Sequence, residues 1–240
     1  MKIFAHRGAS ADYPENTLEA FAGAVGQGAD GVELDVIRCG SGELVVVHDE
    51  WLDRLAGLHW DVRQTPWRKL QRLDVGTRLG FKPARIPLLH EVFDCLPARL
   101  EINVELKNIT LDDRGLSLAV AQLVHDRHLA DRVFLSSFDP RCLVRVARAY
   151  PSLRRGLLID PDLAWAPQAW FWLPITAKTS VHPHWSQVTS ERVNRWHGAG
   201  WAVAVWTVDD VDEARRLRAL GVDVVITNRP AALRAGLERL

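Results

Sequence analysis

Methionine is almost missing from this chain, with one among 240 residues, and tyrosine contributes only two. Cysteine is scarce too. Cys39, Cys95 and Cys142 are odd in number and no pair has C-x-x-C spacing, which excludes a disulfide framework and a thiolate metal site. The expected state is free thiols in a reducing compartment. There is no excess charge of either sign, because 30 basic residues meet 30 acidic ones. A protein that wraps nucleic acid or clings to anionic membrane carries a basic surplus, so global charge suggests neither partner. No apolar run approaches the roughly 18 residues of a membrane span, and the opening MKIFAHRGAS has no apolar signal region. The expectation is a soluble, cytoplasmic protein without stable membrane insertion. No G-x-G-x-x-G follows an early strand, which argues against a dinucleotide-binding open sheet. Lysine is rare as well, at positions 2, 69, 82, 107 and 178 only. A lysine in a special place therefore stands out.

What remains is ordinary globular composition, 48% hydrophobic and 25% charged, which excludes disorder. The length allows one large domain or two small ones. Strand-like runs fall at Lys2–His6, Gly31–Val36, Ile102–Lys107, Val133–Phe138, Arg155–Ile159, Lys178–His182, Ala202–Thr207 and Val222–Thr227. Most are continuous in Val, Ile and Leu, as strands buried on both faces are. Helical patterns lie between them, at Asn16–Gly26, His90–Leu96, Gly115–Arg127, Pro140–Tyr150, Ser190–Gly198, Asp210–Leu220 and Pro230–Leu240, with a weaker one at Asp162–Phe171. Eight βα units in about 250 residues predict an α/β fold, a (β/α)8 TIM barrel. One barrel domain is expected over residues 1–240. After the strand-like Leu44–His48, residues 49–87 exceed what a compact barrel needs, and predict a small insertion beside the C-terminal mouth, carrying Trp51, Trp60, Trp67 and a helix-like Pro66–Leu73.

The strand ends carry the chemistry. The first ends in His6-Arg7-Gly8, the second carries Glu33-x-Asp35, the short one after it ends in His48-Asp49, and the third carries Glu105-x-Lys107. Residues i and i+2 share a strand face, so each pair points together. In a barrel one such face lines the interior, where an unpaired carboxylate is very costly. Three carboxylates converging from adjacent strands need a cation, and an all-oxygen site favours Mg²⁺ or Ca²⁺.

In this order the motifs resemble the glycerophosphodiester phosphodiesterase family, in its compact cytosolic bacterial form. The resemblance rests on His6-Arg7-Gly8, Pro14-Glu15-Asn16-Thr17, Glu33-Leu34-Asp35, His48-Asp49 and Asn103-Val104-Glu105-Leu106-Lys107. It continues through Leu135-Ser136-Ser137-Phe138, Arg155-Gly156-Leu157-Leu158, Val205-Trp206-Thr207-Val208 and Gly221-Val222-Asp223, so it spans nearly the whole chain. It implies metal ligation by Glu33, Asp35 and Glu105, acid/base roles for His6 and His48, and phosphate binding by Arg7 and Lys107. The implied substrate is a small glycerophosphodiester, cleaved to sn-glycerol 3-phosphate and an alcohol. Physical chemistry agrees: a phosphodiester anion resists attack until its nonbridging oxygens are neutralised. Imidazole is the side chain that both takes and gives a proton near neutrality. Glu15 is placed near the metal by the resemblance, while Asn16 or Thr17 could cap the following helix. Phe138 and Trp206, at strand ends, either pack or line the pocket; His182 is a weaker candidate for the mouth. Oligomeric state is left open.

Departures are local. Leu52-Asp53-Arg54 runs into Leu55-Ala56 where the family has hydroxyls, and Asp209 stands where it usually has Asn after Trp-Thr-Val. The apolar stretch Trp165–Leu173 is peculiar to this chain, with helix packing the plainer reading and a lipid-facing lip the sharper one. Two other functions stay open: a related barrel phosphodiesterase acting on lysophospholipids, and a non-catalytic phosphodiester-binding barrel.

Overall fold

The computed structural model describes residues 1–108, 110–160 and 179–239. The strands are β1 (Lys2–His6), β2 (Gly31–Arg38), β3 (Leu44–Val46), β4 (Glu101–Leu106), β5 (Val133–Ser137), β6 (Arg154–Ile159), β7 (Ser180–Pro183), β8 (Ala202–Val205) and β9 (Val224–Thr227). All but β3 pair in parallel, and β1 bonds to β9 on one side and β2 on the other, so eight strands close into a barrel. The helices are α1 (Leu18–Gly26), α2 (Asp53–Ala56), α3 (Trp67–Leu70), α4 (Leu89–Cys95), α5 (Leu116–Asp126), α6 (Pro140–Ala149), α7 (Ser190–Gly198), α8 (Val211–Ala219) and α9 (Pro230–Glu238). This is the (β/α)8 architecture that the alternation of patterns predicts. Strand ends shift from the sequence reading by no more than two residues, as fraying ends do. The helix reading at Asp162–Phe171, the Trp165–Leu173 stretch and Lys178 lie outside the described residues. Among the described residues no helix is long and apolar enough to cross a membrane.

Most of the core lies between the sheet and its helices. One cluster joins Val32, Leu34, Ile102 and Val104 to Phe21, Val92 and Val120; a second joins Val203, Val205 and Val225 to Trp196, Leu217 and Leu233. The barrel interior is filled by far less, with Phe4, Phe134 and Ile226 at its centre and Trp206 above them. β2 outruns its barrel neighbours, and its last residues, Val36 to Arg38, pair with the antiparallel β3. That hairpin founds the insertion. Ile37, Val45 and Val47 pack with Leu52, Leu55, Val62, Leu70 and Ile86 into a separate apolar cluster, partly covered by Trp60 and Trp67. The helix-like Pro66–Leu73 shortens to α3, with Pro66 at its N-cap.

His182 sits wholly inside the barrel, its Nε2 2.9 Å from the Ser180 hydroxyl, not at the mouth. Gly156 makes room for it, since a Cβ there would meet the imidazole at 2.3 Å. Burial pushes the His182 pKa down to about 3. The ring is then neutral in the folded chain and protonated in the unfolded one below about pH 6.5, so stability is full above that pH and lost on acidification toward 3. The cost is about 1.4 kcal/mol per pH unit. Between pH 6.5 and 5, urea unfolding of the native sequence should lose about 2 kcal/mol more than His182→Gln. Parallel losses would remove His182 as the cause.

Candidate active site

The register of the first three barrel strands builds the site. His6 lies opposite Glu33, Glu33 opposite Asn103, and Asp35 opposite Glu105. Glu33, Asp35 and Glu105 are all buried, and each offers an oxygen within 4.8 Å of the others. Two cations face these three acids. Lys107 Nζ lies 2.7 Å from Glu105 and 3.3 Å from Asp35, and Arg7 Nε lies 3.3 Å from Asp35. Glu33 has no lysine or arginine ion pair among the described residues; it accepts the Arg7 backbone N–H at 3.2 Å, and His6 Nε2 is 3.9 Å away.

The titration directions follow. Burial pushes Glu33 well above the usual carboxylate range, and repulsion from Asp35 and Glu105 adds to it. Burial also raises Glu105, partly offset by Lys107. For Asp35 burial is outweighed by Lys107 and Arg7, with help from His48 and Asn16, and its carboxyl stays well below the ordinary value. Burial works against the Lys107 ammonium, yet Glu105 and Asp35 hold it protonated beyond its usual range. The unmet charge sits on Glu33. Beside it, Asn103 Oδ1 and, next to Glu105, Ser136 Oγ are buried without a hydrogen-bond partner among the described residues. Three carboxylates, spare neutral oxygens and one uncompensated charge are what a hard divalent cation requires, and the acidic cluster could bind one.

The histidines stand on different supports. His6 Nδ1 lies 2.7 Å from Asn228 Oδ1, and His48 Nδ1 lies 2.8 Å from Asp49 Oδ1. An amide or carboxylate oxygen accepts from Nδ1–H, so in each ring Nε2 is left free. Burial, with Arg7 beside it, lowers the His6 pKa to about 4. Although burial raises Asp49, hydrogen bonds from His48 and Arg54 bring it down to about 2.

Both oxygens of Glu15 are taken by guanidinium groups, Arg7 at 2.9 Å and Arg54 at 2.7 and 2.9 Å, and Arg54 also grips Asp49 at 2.8 and 3.0 Å. Glu15, His48 and Asp49 form a second oxygen and nitrogen cluster, but the Arg54 fork already supplies its positive charge. Thr17, not Asn16, caps α1 by accepting the Ala20 N–H. Asn16 instead donates to Asp35 Oδ2 at 2.8 Å and accepts the Asp35 N–H at 3.3 Å. Arg7 and Asn16 both have left-handed backbone, φ 56° and 57°, a conformation that costs a non-glycine residue on the order of 1 kcal/mol or more. The turn after β1 uses it to aim both side chains at Asp35.

A cavity of about 240 Å³ at the C-terminal mouth is lined by His6, Glu33, His48, Glu105, Lys107 and Trp206. Phe138 also lines it, edge-on to Trp206, with Lys107 Nζ 5.9 Å from its ring centroid. The Trp206 Nε1–H is tied to the His182 carbonyl, which fixes the indole at the pocket wall. On the His48 and Lys107 side an annex of about 410 Å³ opens between Trp51, Leu106 and Phe138. Larger cavities exist, including one of about 580 Å³ at the opposite end of the barrel. Size does not select the site; among the described residues only the mouth gathers three buried acids, two cations and two histidines.

Sequence reasoning missed Asn228 and Arg54. Asn228 is 222 residues from His6 along the chain, and nothing local in Thr227-Asn228-Arg229 signals a histidine partner.

Comparison with known proteins agrees with the motif order. The family model described as glycerophosphoryl diester phosphodiesterase family matches residues 6–232. A glycerophosphodiester phosphodiesterase of Caldanaerobacter subterraneus subsp. tengcongensis is 34% identical, over 96% of this chain and 95% of its own. An Oleispira antarctica phosphodiesterase, solved in complex with the product sn-glycerol-3-phosphate, superposes with a TM-score of 0.85 at 26% identity, covering 99% of this chain and 97% of that one. A Thermotoga maritima glycerophosphodiester phosphodiesterase gives a TM-score of 0.81 at 29% identity, covering 98% and 97%.

Proposed function

The chain is a phosphodiesterase belonging to the glycerophosphoryl diester phosphodiesterase family, and from that premise we propose that it hydrolyses small glycerophosphodiesters to sn-glycerol 3-phosphate and a free alcohol, in one catalytic domain and with a bound divalent cation. The observation that carries this reading is the trio of buried carboxylates short of one positive charge, set between two histidines that each present a free Nε2. Glu33, Asp35 and Glu105 would hold the cation, and their all-oxygen set suits Mg²⁺ or Ca²⁺. Such an ion supplies charge to a nonbridging phosphate oxygen and lowers the cost of attack at phosphorus. Arg7 and Lys107 line the same cavity and neutralise the rest of the diester, Arg7 as a planar fork and Lys107 as a point charge.

The supports of the two histidines divide their labour. His48 is backed through Nδ1 by the Asp49 carboxylate, whereas His6 is backed through Nδ1 by the neutral Asn228 amide. His6 Nε2 is then the base that takes the proton of the attacking oxygen. His48 Nε2–H is the acid that protonates the departing alkoxide. The annex supports that order, because the room for an alcohol opens beside His48. Trp206 and Phe138 form the apolar wall against the substrate.

Purified enzyme supplied with Mg²⁺ or Ca²⁺ should release glycerol 3-phosphate from glycerophosphocholine, and EDTA should abolish the release. Full activity after chelation would count against an essential removable metal. A lysophospholipid substrate is the second reading, favoured by the apolar annex walled by Trp51, Leu106 and Phe138. Faster turnover of lysophosphatidylcholine than of glycerophosphocholine, assayed side by side, would promote it.

A further inference from the structure

We propose that Asp209 is a positioning residue for this reaction: acting through Asn228, it fixes which ring nitrogen of His6 carries the proton. The inference rests on reading His6 as a catalytic histidine. Its starting point is an ambiguity built into asparagine. The side-chain amide can turn over, exchanging its oxygen and its NH₂ at little steric cost. With the oxygen toward His6, Asn228 accepts from Nδ1–H and leaves a lone pair on Nε2. With the NH₂ toward His6, it donates to Nδ1 and sends the proton to Nε2. Only the first ring can act as a base at the cavity.

Asp209 removes the choice. Its Oδ1 accepts the Asn228 backbone N–H at 2.8 Å and the Thr227 hydroxyl at 2.9 Å. Its Oδ2 lies 2.6 Å from Asn228 Nδ2. A carboxylate offers only acceptors, so the Asn228 NH₂ must face Asp209 and the Asn228 oxygen must face His6 Nδ1, 2.7 Å away. The Ser10 hydroxyl, 2.8 Å from both Asn228 Oδ1 and the His6 carbonyl, fits the same orientation. Asparagine at position 209 would reverse it. Its single oxygen would be claimed by the Asn228 N–H and the Thr227 hydroxyl, its NH₂ would then point at Asn228, and Asn228 would turn its own oxygen away from His6.

The logic predicts a reciprocal rescue. Asn228→Asp alone sets two carboxylates against each other. Combined with Asp209→Asn it restores an acceptor toward His6 and a donor toward position 228. The test is ¹⁵N NMR of the histidine rings in the full-length chain, with steady-state kinetics on glycerophosphocholine, for the native sequence, Asp209→Asn, Asn228→Asp and the double variant. His6 should be the Nδ1–H tautomer in the native protein and Nε2–H in Asp209→Asn. In that variant kcat should fall roughly 10- to 100-fold, the usual scale for a residue that orients a functional imidazole, with KM within about twofold. The double variant should return both the tautomer and most of kcat. An Asp209→Asn protein that keeps the Nδ1–H form, whatever its rate, overturns the proposal, as does a native His6 already protonated on Nε2. If the native protein cleaves no diester at all, the reading of its function fails, while the tautomers still decide the role of Asp209.

Discussion

Glu33→Gln is expected to abolish turnover while making the metal-free protein more stable. Both effects come from one charge. Glu33 is the buried carboxylate that neither Lys107 nor Arg7 pairs with, and its pKa is pushed well above the usual value by burial and by Asp35 and Glu105. In chelator at pH 7–8 the native sequence carries that unmet charge, or binds a proton to relieve it. An amide of the same shape removes the cost, worth about 1–3 kcal/mol for an undercompensated buried polar group. A chain of this size shifts Tm by about 2–4 °C per kcal/mol. The sign is consistent with linkage: a carboxyl whose folded pKa is raised favours folding as pH falls through that pKa, so in chelator the stability of the native protein relative to the variant should rise on acidification, the His182 loss being common to both. With metal present the order reverses, because only the native site gains the binding free energy. Turnover should drop by at least ~10³, the loss of several kcal/mol of charge stabilisation at phosphorus. Thermal scans with and without EDTA, paired with glycerophosphocholine assays, check both halves. A chelated variant that melts below the chelated native protein would mean the acid is compensated in some other way.

His6→Ala and His48→Ala should each cost roughly 10²–10⁴ in kcat, the range of general acid/base groups. Their difference is more informative than their size. A diester whose alcohol is a phenol of low pKa leaves without a proton, so it bypasses the acid and not the base. On such a substrate His48→Ala should recover most of its lost rate and His6→Ala almost none. Recovery in His6→Ala instead would exchange the two roles. Equal recovery in both would deny that the roles are distinct.

The barrel was legible because its strands are buried on both faces and read as unbroken apolar runs, with helical periodicity between them. The three acids and Lys107 were legible for a related reason: a charged residue alternating within such a run, as in Glu33-x-Asp35 and Glu105-x-Lys107, must face the interior. Side chains acting from loops were not. Asn16 and Thr17 both read as possible caps, and only the bond from Ala20 N–H to the Thr17 hydroxyl shows that Thr17 took that role and left Asn16 to Asp35. Arg54 lies within a four-residue helix of the insertion, and its bridge to Glu15 spans 39 residues. Asn228 reaches His6 only because the barrel closes, and closure depends on pairing between β1 and β9 that no local pattern encodes.

One chain of contacts runs across the mouth with its signs alternating: Asp49, Arg54, Glu15, Arg7, Asp35, Lys107, Glu105. It behaves as a small fragment of an ionic lattice, in which every ion's neighbours bear the opposite sign. An engineer who neutralises an interior link leaves two like-signed ions exposed to their own unmet charge, so single replacements along it will be non-additive. Recoding the head-group side of this enzyme therefore means exchanging the segment around Asp49–Arg54 together with Glu15, as one unit, and not residue by residue.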